Sequence, residues 1–138
     1  MPLRYESAIR ERLAAQVEGL KGVFGLPALG AEQARPAPCV YVLFNGLRVD
    51  QTFMAHEKAR VDVSWQIVLA VRNLTDTADG AAARASAQTL AQSICSALMG
   101  WSPDPTNATP MQLVDSPAPV YDTGSVLLPF NFTTNYWL

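Results

Sequence analysis

A chain of 138 residues, 49% of them hydrophobic, has the size and composition of one globular domain, which excludes a disordered chain and calls for no second core. A formal net charge of −2 excludes a protein whose main work is gripping nucleic acid, because phosphate binding draws on clustered Lys and Arg. The charges are also unevenly placed: all 10 Lys and Arg lie at or before Arg84, and residues 85 to 138 carry only Asp104, Asp115 and Asp122, where an ordinary segment of that length holds roughly thirteen charged groups.

That second half is a poor solvent face. Either its Ser, Thr, Asn and Gln residues keep it soluble, or neighbouring subunits cover much of it, since interface cores are depleted in charge. At the N-terminus, MPLRYESAIRERLAAQVEGL alternates charged and apolar residues where a signal peptide needs a continuous apolar stretch. The densest apolar run, Ile67 to Val71, is too short to cross a bilayer. The expectation is a cytosolic chain with no membrane partner.

Ala8, Ile9, Leu13, Val17 and Leu20 recur at helical spacing and predict an amphipathic helix from about Tyr5 to Lys21, stopped by Gly22 and Gly25. Leu26 to Pro38, with three prolines, reads as an extended connector. The first strand follows at Cys39 to Val49, rich in Val, Tyr and Phe. A polar stretch, Asp50 to Ala59, separates it from the clearest strand, where Val61, Val63, Trp65, Ile67, Leu69 and Val71 alternate with Asp62, Ser64, Gln66 and Arg72. This predicts one buried face and one that is at least partly wet.

A turn region with Asp76 or Asp79 as N-cap leads into a second helix, about Ala81 to Met99, whose stripe is Ala87, Leu90, Ala91, Ile94 and Leu98, continued by Trp101. Gly100 and the rigid Trp101 to Pro105 segment end it. A short strand around Met111 to Asp115, a turn through Pro117 and Pro119, and a last strand from Ser125 complete the chain. Pro129 cannot donate to a ladder, so that strand is expected at a sheet edge or bulged there. The order helix, strand, strand, helix, strand, strand predicts a single α+β domain: a mainly antiparallel four-stranded sheet with both helices packed on one face.

The inventory for chemistry is short. His56 is the only histidine, beside Glu57 and Lys58 in the polar loop, and no second ligand stands at metal spacing from it. Phosphate-cradling loops, dinucleotide fingerprints and nucleophile elbows are absent from the sequence. Cys39 and Cys95 read as reduced, buried and inert. No catalytic, cofactor-binding or metal residue is therefore assigned. Two regions suit contacts with a neighbour. The loop Val49 to Arg60 mixes Phe53 and Met54 with charge, nominating Arg48, Asp50, Phe53, Met54, His56 and Lys58. The pair Tyr136 and Trp137 cannot place both rings on one side of a strand, so one of them needs a partner beyond the core face, within the subunit or across an interface.

Several of these elements together resemble a known family. They are the N-terminal amphipathic helix, Arg35-Pro36-Ala37-Pro38 leading into the first strand, and the Val-rich strand 61 to 72. To these add the exit with Ile94, Leu98, Gly100, Trp101 and Pro103, and the pair containing Tyr121-Asp122-Thr123-Gly124 and ending in Phe130-x-Phe132. In this order, over nearly the whole chain, they resemble the Mu-like bacteriophage tail-terminator family, related to the tail terminators and minor tail proteins of long-tailed phages.

The resemblance implies one terminator-like domain over residues 1 to 138 with an α+β fold. It implies a homo-oligomer, a hexameric ring, that sits on the finished tail tube, stops its growth and offers a surface to the head-tail connector protein. The partners it implies are the tail tube protein and that connector, with DNA passing through the ring without specific binding. The implied location is the tail-neck region of the virion, after assembly in the bacterial host cytoplasm. No catalytic residue is carried over. The alternatives are another neck or tail component, such as a head-closure or tail-completion protein, and a bacterial small-molecule-binding domain.

Overall fold

The computed structural model describes residues 5–25, 37–53, 58–72, 80–122 and 125–137. Helix α1 (Glu6–Gln16) buries Ile9 and Leu13 against the sheet, with Tyr5 and Val17 buried at its two ends. It stops a turn earlier than the apolar spacing predicts. Val17 is already extended, at φ −106° and ψ 112°, and Gly19 takes a left-handed φ of 94° that reverses the chain. Val17 thus contributes to the core without being helical. The reversal feeds a strand not predicted from sequence, β1 (Val23–Phe24), two residues long and parallel to the start of the next strand.

Strands β2 (Cys39–Phe53) and β3 (Lys58–Arg72) form a long antiparallel ribbon, paired from Cys39 with Ala70 to Phe53 with Lys58. The polar stretch expected to separate them is mostly strand. Backbone pairing does not depend on side-chain polarity, and register shifts at Phe44/Leu47 and Val49/Gln51 absorb the extra residues as bulges. Helix α2 (Gly80–Leu98) matches its predicted span within a residue at each end. Its expected caps, Asp76 and Asp79, lie outside the described residues, as does most of the connector from Leu26 to Pro38.

After α2 come β4 (Gln112–Asp115), β5 (Val120–Asp122) and β6 (Ser125–Trp137). β6 pairs with β3 over thirteen consecutive positions without a register shift. β4 and β5 lie one after the other along the far side of β6. Among the described residues the sheet is therefore mixed, with six strands in the order β1-β2-β3-β6-β4 and β5 also on β6, and only the β1·β2 pair is parallel. This corrects the expected strand number from four to six and adds one short parallel pair to a sheet that is otherwise antiparallel, as expected. The missed strands are two and three residues long, too short to show a period in the sequence.

Pro129 is also placed differently. β6 is an inner strand, yet Pro129 falls in the opening between β4, which reaches Asn131, and β5, which reaches Leu127. Its carbonyl faces that opening and accepts a 2.8 Å bond from Ser116 Oγ. The N and O of a strand residue point to the same side, so the missing N–H interrupts no bond to β3.

Both helices cover one face of the sheet. Val61, Val63, Trp65, Ile67 and Leu69 are fully buried there with Phe132 and Tyr136 of β6, and Ile94 and Leu98 of α2 close the layer. Tyr136 meets the ring of Tyr5 edge-on at 5.0 Å, and Tyr5 Oη donates to Asp104 at 3.2 Å, joining the start of α1 to the end of β6. The opposite face is only partly wet. Cys39, Tyr41, Val68 and Ala70 form a second small buried cluster on it, with Phe24, Leu43 and Leu127 packed alongside.

Candidate assembly surface

At the level of Leu47 the sheet is four strands wide, β2, β3, β6 and β4, because Leu47 pairs with Val63, Val63 with Thr134, and Gln112 with the adjacent Thr133. Among the described residues β1 reaches only Val40 and Tyr41, so beyond them β2 has β3 as its only strand partner. β4 likewise pairs only with β6. The sheet thus ends in two open strand edges, one on β2 and one on β4, each with backbone groups that a further strand could meet.

The outer face between these edges is polar and internally bonded. Asn135 Nδ2 donates to Asp62 Oδ1 at 2.6 Å and to Asp50 Oδ2 at 3.3 Å, and Arg48 approaches Asp62 at 3.7 Å. Further along, Gln66 Nε2 donates to Asn131 Oδ1 at 3.1 Å, and Asn131 Nδ2 to Asp115 Oδ1 at 2.7 Å. These bonds hold a shallow cleft of about 610 Å³ between Arg48 and Val114, floored by Asp62, Ser64 and Thr133. The arrangement offers amides, hydroxyls and carboxylates, chemistry that suits orienting a surface. Among the described residues no group of three or more His, Cys, Asp or Glu is placed to hold a metal ion. The Cys95 thiol is half-buried, and burial pushes its pKa up.

Six large apolar side chains are more than a third exposed among the described residues, and they fall in two groups. Leu47 and Val49 lie on β2. Met99, Leu113, Val114 and Val120 lie at the end of α2 and along the β4–β5 edge, where Gly100 N bonds Met111 O at 2.9 Å and brings the helix end beside β4. Every residue from Gln112 to Val120 is exposed, and Asp115 is the only charge among them. The charge-poor half of the sequence is therefore not all alike on the surface. Along α2 the exposed positions among the described side chains are mostly polar, with Ser86, Gln88, Thr89, Gln92 and Ser96, as a solvent face needs, whereas from Gln112 to Val120 most are apolar.

The residues nominated from sequence are spread over this architecture. Arg48, with its side chain 85% exposed, and Asp50 stand on the outer face of β2. Phe53 and Lys58 pair through their backbones at the tip of the ribbon. Met54 and His56 lie outside the described residues. Tyr136 is fully buried and is no contact surface, a correction to its nomination. Trp137, one residue on and therefore on the outer face, is half-buried beneath the Arg60 guanidinium at 5.4 Å. Leu47, Val49, Leu113 and Val114 were missed. The first two close the strand predicted from Cys39 to Val49, and the available signal for the others was the nearly charge-free window from 112 to 120.

No curated protein matches this chain. Among solved structures, a chain of the virion of a native gene transfer agent particle matches with a TM-score of 0.54 at 16% identity, covering 96% of this chain and 94% of that one, which is a likeness of fold. The family model described as phage tail terminator protein matches residues 2–138. With that match spanning nearly its full length, the chain belongs to the phage tail terminator family.

Proposed function

We propose that the chain is a ring-forming structural component of the virion that caps the phage tail tube and gives the head connector its docking surface. The observation that carries this reading is the family match over residues 2–138, supported by a surface arranged for contact. Two open strand edges on one small domain, both bearing exposed apolar side chains, suit repeated head-to-tail association, which closes into a ring when the rotation allows. Arg48, Asp50 and Trp137, on the outer face, belong to contacts with neighbouring subunits or partners. The work is assembly, without a catalytic step.

The test is a tube-growth reaction. Purified tail tube protein is polymerised on its initiator with and without this chain, and tube lengths are read by electron microscopy. The reading expects tubes of bounded length, each bearing a ring of this protein at one end. Tubes of unbounded length in its presence, with the protein bound instead to isolated connectors, would move it to the head side of the joint.

A further inference from the structure

The two open edges of the sheet match each other face by face. On the helix side, β2 presents Leu47 and Val49, and β4 presents Leu113, whose pairing with the buried Phe132 places it on that side. On the outer side, β2 presents Arg48, paired with Asp62, and β4 presents Asp115, paired with Asn131. Leu47 and Val49 on one edge thus share the helix side with Leu113 on the other, and Arg48 shares the outer side with Asp115 and with Val114, which lines the cleft there. Like faces can be continuous only if the two edges of different copies are brought together, because in one chain β3 and β6 stand between them.

We infer that the β4 edge of one copy docks against the β2 edge of the next, so that Leu113 packs on Leu47 and Val49 while Asp115 meets Arg48. This rests on the ring reading and names the contact that builds the ring. Asp115 keeps its bond to Asn131 through Oδ1, leaving Oδ2 directed to the guanidinium. Arg48 gives up only an exposed 3.7 Å ion pair with Asp62, a pairing of little worth. The contact is heterologous: each copy uses β2 toward one neighbour and β4 toward the other, and in a closed ring every copy covers its Leu47, Val49 and Leu113. Pro117 and Pro119 follow β4 directly and limit how far the added strand can extend along this edge.

Charge reversal tests the pairing. Arg48→Glu and Asp115→Lys are each expected to raise the concentration needed for half-assembly by about tenfold, the scale of a like-charge contact in an interface, with the melting temperature of the monomer little changed. Mixed one to one, the two variants are expected to assemble like the wild type, since every junction in an alternating ring is then complementary. Val49→Asp, at a position 53% exposed, is expected to block assembly alone and in every mixture. If the wild type assembles and the reversed variants assemble equally well, or their mixture stays impaired, the contact is wrong and the ring survives. A wild type that stays monomeric to roughly millimolar concentration overturns the ring reading, and this contact with it.

Discussion

The indole of Trp65 fills the centre of the helix-side core, fully buried and with the ring of Phe44 edge-on at 5.8 Å. Trp65→Ala is expected to cost about 3–5 kcal/mol in denaturant unfolding, since lost transfer energy and the residual cavity add. Leu90, read from sequence as equally central, is only half-buried, and its replacement by Ala should cost about 1–2 kcal/mol. The neighbours Tyr136 and Trp137 make the sharpest contrast. Tyr136→Ala is expected to destabilise the monomer by about 3–5 kcal/mol, and Trp137→Ala by less than about 1 kcal/mol, because only the first ring lies in the core. Burial raises the Cys95 pKa, so its thiol stays protonated near pH 8, and alkylation there should be slower than for the same cysteine in the unfolded chain. The sign for stability follows: protection from this group is complete below the ordinary thiol pKa and is lost as pH rises through the raised one.

At the scale of elements, what was legible depended on how much periodicity each one carried. β3 alternates over a dozen residues and was placed with its helix-side face correctly assigned, and β6 was placed from its start at Ser125. α2 was bounded within a residue because its stripe is long. β1 and β5 carry too few side chains for any pattern, and β1 exists because Val40 N bonds Gly22 O at 3.1 Å, a tertiary fact. The last four residues of β2 and the first three of β3 were hidden by polar side chains on a ribbon whose pairing is backbone chemistry. The assembly surface was only partly visible: the charge-poor segment from 85 to 138 contains β4–β5 without singling it out, and a strand pattern over Leu47 and Val49 does not say where the covering helices end. Pro129 offers a test at this scale. Pro129→Ala is expected to change stability by less than about 1 kcal/mol, whereas Leu128→Pro, whose N–H points toward Leu69, should cost about 3 kcal/mol or more.

For the whole molecule, the fold separates two tasks by face and by edge. The helix side holds the domain together, and Tyr5, Asp104 and Tyr136 tie its two ends. Between the two edges the outer face is polar and bonded within itself, which suits a surface that orients other macromolecules without gripping them, and on the proposed ring reading a net charge of −2 suits passage of DNA. The two edges remain for neighbours. In this account the low charge of residues 85 to 138 belongs mostly to two places: the polar, uncharged face of α2, which water covers, and the β4–β5 edge, which another copy covers.

On the proposed function the chain works as a ring. Light scattering of the purified protein across a concentration series, with negative-stain images of the largest species, tests it most directly. The expected result is a closed species of six subunits with a central hole. A strict monomer at every concentration, with no ring in the images, would contradict it.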